Sequence, residues 1–229
     1  MFDTMAAPTG LERARATLQS VERRVGVEHH EQVVELAPPS RAPLTALLPG
    51  GDLPVGAAVT VGDSASLMCW LLGATQRDRW VALVGWPDLS LVALAEAGVD
   101  LDRVVAVPDV GGRGADVLAA LLGGVEIVVA GPGARLTASE RRRLLARARQ
   151  RGTTILSPVP WEGAALVLDV EQTNWSGPDH GAHWLREARL VVVRRSRADG
   201  AGVRFDITRH GTTAPTALAI RAAARRKAG

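Results

Sequence analysis

The turn best placed to bind a phosphate follows the first predicted strand of the chain, residues 57–61. In a parallel α/β domain, the backbone N–H groups of such a turn and of the following helix point towards an anion. A working phosphate loop reads G-x-x-x-x-G-K-[ST], whereas this turn keeps only the first glycine and adds a negative charge. The sequence therefore predicts a degenerate phosphate loop, formed by Gly62, Asp63, Ser64 and Ser66.

The cation and the metal ligand that a nucleotide site needs are both missing from the sequence. The one lysine is Lys227, two residues from the C-terminus, and the planar guanidinium of arginine does not replace a compact ammonium at a triphosphate. The strand predicted at 125–130 should end in a carboxylate that holds Mg²⁺, but it ends in Ala130 and Gly131. We therefore expect a non-enzymatic protein, a degenerate ATPase without cofactor or metal.

Two further groupings of reactive side chains favour structural roles. Cys69 and Asp88 are the residue types of a cysteine phosphatase, but the helix after Cys69 is apolar and offers no phosphate cradle. We therefore expect a core cysteine and a helix cap. His180 and His183 lie three residues apart without a cysteine or glutamate in register, so surface or turn histidines are expected rather than a metal site.

Positive charge is concentrated at the C-terminal end of the chain. The formal net charge is +3, yet residues 186–229 hold 11 basic and 3 acidic side chains. Such a segment can attract nucleic acid or an acidic protein surface, and a solvated basic edge is the alternative. Because successive strand residues point to opposite faces, not all of its arginines can act together. The candidate residues for partner or DNA binding are Trp184, Arg189, Arg194, Arg195, Arg197, Arg204, Arg209, Arg221, Arg225, Arg226 and Lys227.

Tryptophan is the main aromatic residue, with six tryptophans beside two phenylalanines and no tyrosine. Trp70 lies in a predicted helix and Trp80 in a predicted strand, and both are expected in the core. Trp161, Trp175 and Trp184 lie in the loop-rich C-terminal third. There we expect core closure or anchoring of a partner protein rather than stacking on unpaired bases.

Strands and helices alternate along the middle of the chain, which predicts an α/β fold: right-handed βαβ units and a mostly parallel sheet with helices on both faces. The last strands have no helix between them, so the sheet should end in an antiparallel hairpin around residues 198–202. The predicted strands are 57–61, 80–84, 104–107, 125–130, 153–156, 164–170, 189–195 and 203–208. The predicted helices are 67–76, 88–97, 115–122 and 137–151, the last opened by a capping box at Thr137 and Glu140.

The ends of the chain differ from this α/β core. A capping box at Thr9 and Glu12 opens a separate amphipathic helix, which a Pro-rich stretch should tether to the core. We therefore divide the chain into an N-terminal helix and tether (1–36), a linker (37–43), the core with its hairpin (44–209) and a basic tail (210–229). With 47% hydrophobic residues and one cysteine, and with no apolar run of about 20 residues, we expect a folded cytoplasmic protein without disulfides or a membrane span.

Two passages of the chain resemble the core of the RecA recombinase family. The first is the run 50–56, which leads into a strand and a glycine turn as the equivalent run of that family leads into its phosphate loop. The second is 97–104, which is similar to the family's GVDxxxL passage and precedes a helix and the strand 125–130 in the family's order. The resemblance covers roughly residues 44–170 and implies a RecA-like fold.

The RecA-like core, the degenerate nucleotide motifs and the basic C-terminal region together resemble the mutasome accessory proteins of the ImuA′ type. That resemblance implies a non-catalytic adaptor in damage-induced mutagenic translesion synthesis, nucleoid-associated on DNA damage. The implied partners are ImuB, a catalytically inert Y-family polymerase homologue, and through it an error-prone replicative-type polymerase and the sliding clamp, with direct DNA contact left open. The alternatives are a SulA-like cell-division inhibitor, a DNA-binding recombination mediator and a live ATPase with an unorthodox site.

Overall fold

The computed structural model describes residues 38–177 and 187–210. These residues belong to one of the two compact units into which the chain divides, Leu36–Gly229. The N-terminal helix and tether expected at 1–36 and the basic tail expected from 210 lie outside the described residues, His210 excepted. Among the described helices, none is long and apolar enough to cross a membrane.

Nine strands and four α-helices form the described part of the chain. The strands are β1 (Ser40–Arg41), β2 (Ala58–Val61), β3 (Val81–Val84), β4 (Val104–Val107), β5 (Ile127–Ala130), β6 (Thr154–Ser157), β7 (Leu166–Ser176), β8 (Glu187–Ser196) and β9 (Val203–His210). The helices are α1 (Ala65–Thr75), α2 (Leu91–Glu96), α3 (Gly114–Leu121) and α4 (Ala138–Arg151). Three short 3-10 helices are Leu44–Leu47, Leu101–Arg103 and Pro132–Ala134.

All nine strands belong to one sheet, in the order β1-β9-β8-β7-β2-β6-β5-β3-β4. The strands from β7 to β4 pair in parallel, whereas β7, β8 and β9 pair antiparallel. The hairpin of β8 and β9 turns at 197–202, as the sequence predicts. The predicted fold class, a mostly parallel sheet that ends in an antiparallel hairpin, is confirmed.

The core has one apolar cluster on each face of the sheet, which places helices on both sides. On one face, α1 and α2 contribute Leu71 and Leu94. On the other face, α3 and α4 contribute Leu118, Leu144 and Leu145. The β-branched strand β5 is buried on both sides, as a central parallel strand should be.

Helix α4 begins and ends as its sequence predicts. The Thr137 hydroxyl accepts a hydrogen bond from the backbone N–H of Glu140 at 3.3 Å, and the Glu140 carboxylate accepts one from the N–H of Thr137 at 2.7 Å. This confirms the capping box. The helix ends at Gly152, whose φ of 70° is a left-handed conformation that glycine adopts without strain.

Three local predictions are wrong. Within the expected linker, Ser40–Arg41 pairs in parallel with β9 as strand β1, a two-residue element too short to leave a periodic pattern. Helix α2 is capped by Ser90, whose hydroxyl accepts from the N–H of Ala93 at 3.2 Å, and Asp88 precedes it. Trp80 is 42% exposed because it precedes β3 instead of lying within it.

Candidate functional site

Several polar groups of the predicted phosphate loop bond to the loop itself or to the adjacent strand β7. Gly62, directly after β2, donates its backbone N–H to the carbonyl of Leu168 at 2.8 Å, and its own carbonyl accepts from the N–H of Ser64 at 2.6 Å. The Ser64 hydroxyl caps α1 by accepting from the N–H of Leu67 at 3.2 Å. Asp63 is exposed, and Ser66 lines a separate cavity against α2. Gly62, Asp63 and Ser64 therefore form a tight turn that leads into the N-terminus of α1.

A carboxylate lies beside the glycine of this loop. A Cβ placed on Gly62 would lie 3.4 Å from Oδ1 of Asp169, a residue of the adjacent strand β7. Asp169 forms a half-exposed ion pair with Arg195 of β8, so this arginine is already engaged. A triphosphate here would meet the negative charges of Asp63 and Asp169 in the place where it needs cations.

The carboxyl ends of β3 and β5 are packed backbone against backbone. Gly131 donates its N–H to the carbonyl of Val84 and Gly133 donates to that of Gly85, each at 2.8 Å. A Cβ on Gly131 would come within 2.5 Å of the Trp86 Cβ and 2.6 Å of the Gly85 carbonyl oxygen. After β3 the chain turns to one face of the sheet, and after β5 it turns to the other. The crevice between two such strand ends is the usual ligand site of an open α/β sheet. Here backbone fills it.

The residues present do not fit ATP and Mg²⁺. Strand β5 ends at the buried Ala130 and is followed by the buried Gly131. The acid of this segment, Glu126, precedes the opposite end of the strand, where its carboxylate accepts a hydrogen bond from the N–H of Trp80 at 2.9 Å. In the ranges 38–177 and 187–210, no cluster of three His, Cys, Asp or Glu residues could hold a metal ion. His180 and His183 lie outside those ranges.

Cys69 is a core residue, as expected. Its side chain is 3% exposed, and burial raises the pKa of the thiol to about 11. Cys69 and Asp88 do line one cavity of about 250 Å³, together with Trp70 and Trp175. A thiol that stays protonated at neutral pH is a poor nucleophile, so this juxtaposition does not make a phosphatase site.

Two of the hairpin arginines hold carboxylates in two-pronged ion pairs. Arg189 of β8 donates to both oxygens of Asp206 at 2.8 and 2.5 Å, and Arg194 donates to both oxygens of Asp199 at 2.9 and 2.6 Å. These hydrogen bonds hold the pKa of Asp206 and the pKa of Asp199 below the usual range of a carboxyl group. Arg194 also donates to the carbonyl of Ala46 at 2.8 Å, which joins the hairpin to the first 3-10 helix.

The other hairpin arginines divide between contacts within the fold and solvent. Arg195 pairs with Asp169, and Arg204 pairs with Glu171 at 2.8 Å.

Arg209 donates to the carbonyl of Glu96 at 2.7 Å, and its guanidinium lies 5.8 Å from the centre of the Trp70 ring. Arg197, in the turn, is exposed. Of the candidate arginines within the described residues, all except Arg197 are therefore matched by carboxylates or carbonyls of the same sheet and its neighbours.

The remaining candidates cannot be placed in the structure. Trp184 and the tail residues Arg221, Arg225, Arg226 and Lys227 lie outside the described residues. The register nevertheless shows where their segments begin, because Ser176 of β7 pairs with Glu187 of β8, which pairs with His210 of β9. The segment that contains Trp184 and the tail therefore both continue from the same end of the antiparallel strands.

One cationic surface was missed when charge was summed over long segments. Helix α4 carries six arginines and one glutamate, a formal charge of +5 in 14 residues. It lies within residues 61–185, whose 11 basic and 14 acidic side chains give a net charge of −3. The net charge of the predicted helix 137–151, counted by itself, is the signal that identifies this surface.

Known proteins resemble this chain at three levels. Residues 46–163 match the model of the family described as the MT3502 N-terminal domain. The uncharacterized protein Rv3395c of Mycobacterium tuberculosis is 34% identical over 173 residues, which are 73% of this chain and 82% of that relative. SulA from Pseudomonas aeruginosa is similar in structure with a TM-score of 0.36 and 19% identity, over 45% of this chain and 97% of that chain. The last similarity is too low to bear on function.

Proposed function

The chain belongs to the MT3502 N-terminal domain family, and within that family we propose that it acts as a mutasome accessory protein of the ImuA′ type. It is a non-catalytic adaptor that recruits or stabilises a polymerase assembly for damage-induced mutagenic translesion synthesis. Its direct partner is the inert Y-family polymerase homologue ImuB, which links it to the error-prone polymerase and the sliding clamp.

The observation that carries this proposal is the closed crevice between β3 and β5. The three-layer core is intact, yet Gly131 and Gly133 bring the two strand ends into direct backbone contact where a ligand would bind. The phosphate loop follows β2, two strands away from β5 in the sheet. It has no lysine, carries Asp63 and lies beside the carboxylate of Asp169 in β7. A RecA-like domain with these features is suited to holding other proteins in place, because such a role needs a rigid surface and no turnover.

The partner surface is assigned to the C-terminal segments that continue from the end of the antiparallel strands. Trp175, near that end of β7, is 47% exposed, and Arg209 and His210 line the same cavity as Trp175. Exposed tryptophan and arginine side chains are the types that carry most binding energy in protein interfaces. The candidate residues Trp184, Arg225 and Arg226 lie in the two chain segments that begin here.

Co-purification with the polymerase homologue tests this assignment, using the full chain and a chain that ends at His210. The truncation stops at His210 because deleting 186–229 would remove β8 and β9, whose Leu190, Val192 and Ile207 belong to the core. We expect the full chain to retain the polymerase homologue and the truncated chain to lose it while melting at the same temperature. A second test variant replaces Arg225 and Arg226 with glutamine in the full-length chain, which should weaken retention without shortening the chain.

Two outcomes would contradict the proposal at different levels. Equal retention by the truncated chain would refute the assignment to the tail and leave the adaptor role and the segment with Trp184 standing. Failure of the full chain to bind the polymerase homologue, combined with binding to the division GTPase in the same assay, would refute the adaptor role and support a SulA-like inhibitor.

A further inference from the structure

Helix α4 presents a continuous basic face to solvent. Its arginines are Arg141, Arg142, Arg143, Arg147, Arg149 and Arg151. Leu144, Leu145 and Ala148 are buried against the sheet, which fixes the rotation of the helix. The last five of the arginines are therefore exposed, and between them the outer face holds only the small or neutral residues Ala146 and Gln150.

These cations are less neutralised than those of the hairpin. Arg142 meets Glu162 at 3.9 Å, in a pair whose side chains are both about two-thirds exposed, and such a pair contributes little. Glu140 uses its carboxylate in the capping box, and Arg143 acts on it only as a nearby charge. Within residues 38–177 and 187–210, Arg147, Arg149 and Arg151 have no carboxylate within 4.0 Å.

The basic surface extends beyond the helix to the turn of the hairpin. Arg149 and Arg197 line the same groove, with a volume of about 630 Å³. The acid of that groove, Asp52, is paired with Arg77 and Arg79. Arg197 is the hairpin arginine that the described residues leave exposed without an ion pair, so it can add to the charge of α4.

We propose that this basic surface, the exposed face of α4 together with Arg197, is a sequence-independent contact for the phosphate backbone of duplex DNA. From Arg142 to Arg151 the helix spans about 14 Å, a length over which duplex DNA presents roughly eight phosphate charges. Guanidinium groups suit this role because they donate paired hydrogen bonds to phosphate oxygens.

The composition of the surface favours duplex DNA over the alternatives. A single strand is usually bound by stacking its bases on aromatic side chains, and α4 contains no aromatic residue. A protein interface usually has an apolar or aromatic centre inside its charged rim. On the exposed face of α4 itself, Ala146 is the apolar residue between the arginines, and the exposed Val55 lies beyond the end of the helix, against Gly152. A uniformly cationic helix face without such a centre matches a backbone contact.

Fluorescence anisotropy with a labelled duplex of about 30 base pairs tests the proposal across roughly 50 to 200 mM salt. The test variant is R142Q/R143Q/R147Q/R149Q, which removes exposed charge and keeps the buried face of α4. The control is R195Q/R204Q, which removes two partly exposed, ion-paired cations from the sheet and leaves the buried Asp206 paired with Arg189. We expect the α4 variant to lose at least about tenfold in affinity at the lowest salt and up to roughly 3.6 units of log–log salt slope, at about 0.9 per phosphate contact.

The control variant should bind the duplex nearly as the unmodified chain does. Equal affinity and slope for the α4 variant and the unmodified chain would overturn the proposal, and so would an equal loss in the control. Displacement of the duplex by polyglutamate at the same charge concentration would overturn it in favour of an acidic protein. The DNA contact rests on the proposed function for its cellular setting. Because this assay uses the purified chain without the polymerase homologue, its failure would refute the DNA contact and leave the adaptor function to its own test.

Discussion

Arg194 shows how a cation of the hairpin is used inside the fold. Its guanidinium holds both oxygens of Asp199, donates to the carbonyl of Ala46 and lies 4.9 Å from the centre of the Phe205 ring. The Asp199 side chain is 5% exposed, so it would become a buried, uncompensated charge if the arginine were lost. At this position the positive charge stabilises the hairpin, and it is largely withdrawn from any partner.

The pH dependence of unfolding should report this pair. Arg194 holds the pKa of Asp199 below its usual range, so the folded protein binds that proton more weakly than the unfolded chain. The stabilisation is therefore present above the unfolded pKa of about 3.9 and is lost as the pH falls through the lower folded pKa. We expect Asp199→Asn to cost about 2 kcal/mol at pH 7, or roughly 4–8 °C in Tm, and the difference from wild type to shrink below about pH 4.

Thermal melts from neutral to acid pH would measure this effect, with Asp169→Asn as the control. Asp169 also pairs with an arginine, but both side chains of that pair are more than two-fifths exposed, and exposed pairs contribute about 0–1 kcal/mol. Equal losses at pH 7 in the two variants, or a loss in Asp199→Asn that does not depend on pH, would show that the buried pair has no special role.

At the scale of elements, the contact between the ends of β3 and β5 is sensitive to a single methyl group. In Gly131→Ala, the new Cβ would lie 2.5 Å from the Trp86 Cβ and 2.6 Å from the Gly85 carbonyl, so backbone must move. We expect this variant to lose about 2 kcal/mol, or roughly 4–8 °C in Tm by calorimetry.

The matched control for this contact is Gly124→Ala, at a glycine with no neighbouring atom within 4 Å of its Cβ position and with no positive φ. That change should leave the melting temperature unchanged or raise it slightly, because alanine lowers the entropy of the unfolded chain. If Gly131→Ala and Gly124→Ala had the same melting temperature, the crevice between β3 and β5 would have to be wider than the structure shows.

The elements that could be predicted from the sequence are those with a strong local signal. The β-branched run before Ala130 and the alternation of strands with helices define the parallel sheet. The capping box of Thr137 and Glu140 defines the start of α4. Two features of the candidate nucleotide site could also be predicted. The absence of a lysine from the phosphate loop and of a carboxylate at the end of β5 can be read directly from the residue types.

The rest depends on contacts between distant residues. Glu171 and Arg204 are 33 positions apart, and Asp169 and Arg195 are 26 apart, so no local pattern shows that these charges cancel. Similarly, β1 forms because Ser40 and Arg41 pair with Phe205 and Asp206 of β9, which lie at the other end of the described sequence. The closure of the crevice requires Gly85 to lie against Gly131 and Gly133, which follows from the strand order.

At the scale of the whole molecule, different regions of the Leu36–Gly229 unit have different proposed roles. The carboxyl edge of the parallel strands is closed by backbone at Gly85 and Gly131. The outer face of α4 holds exposed arginines that are less neutralised than those of the hairpin. The chain continues towards Trp184 and towards the tail from one end of β7 and β9. In the proposed adaptor, the DNA contact and the partner contact therefore lie on different surfaces, and neither requires ATP hydrolysis.

Direct binding of ATP tests the central claim, that the crevice and phosphate loop no longer accept a nucleotide. Isothermal titration of the full chain with ATP and Mg²⁺, up to about 1 mM, should show no saturable binding, and Ser64→Ala should behave identically. Binding of one ATP per chain that is lost in Ser64→Ala would contradict the account, because the loop at Gly62 would then hold a triphosphate despite the carboxylate of Asp169 beside it.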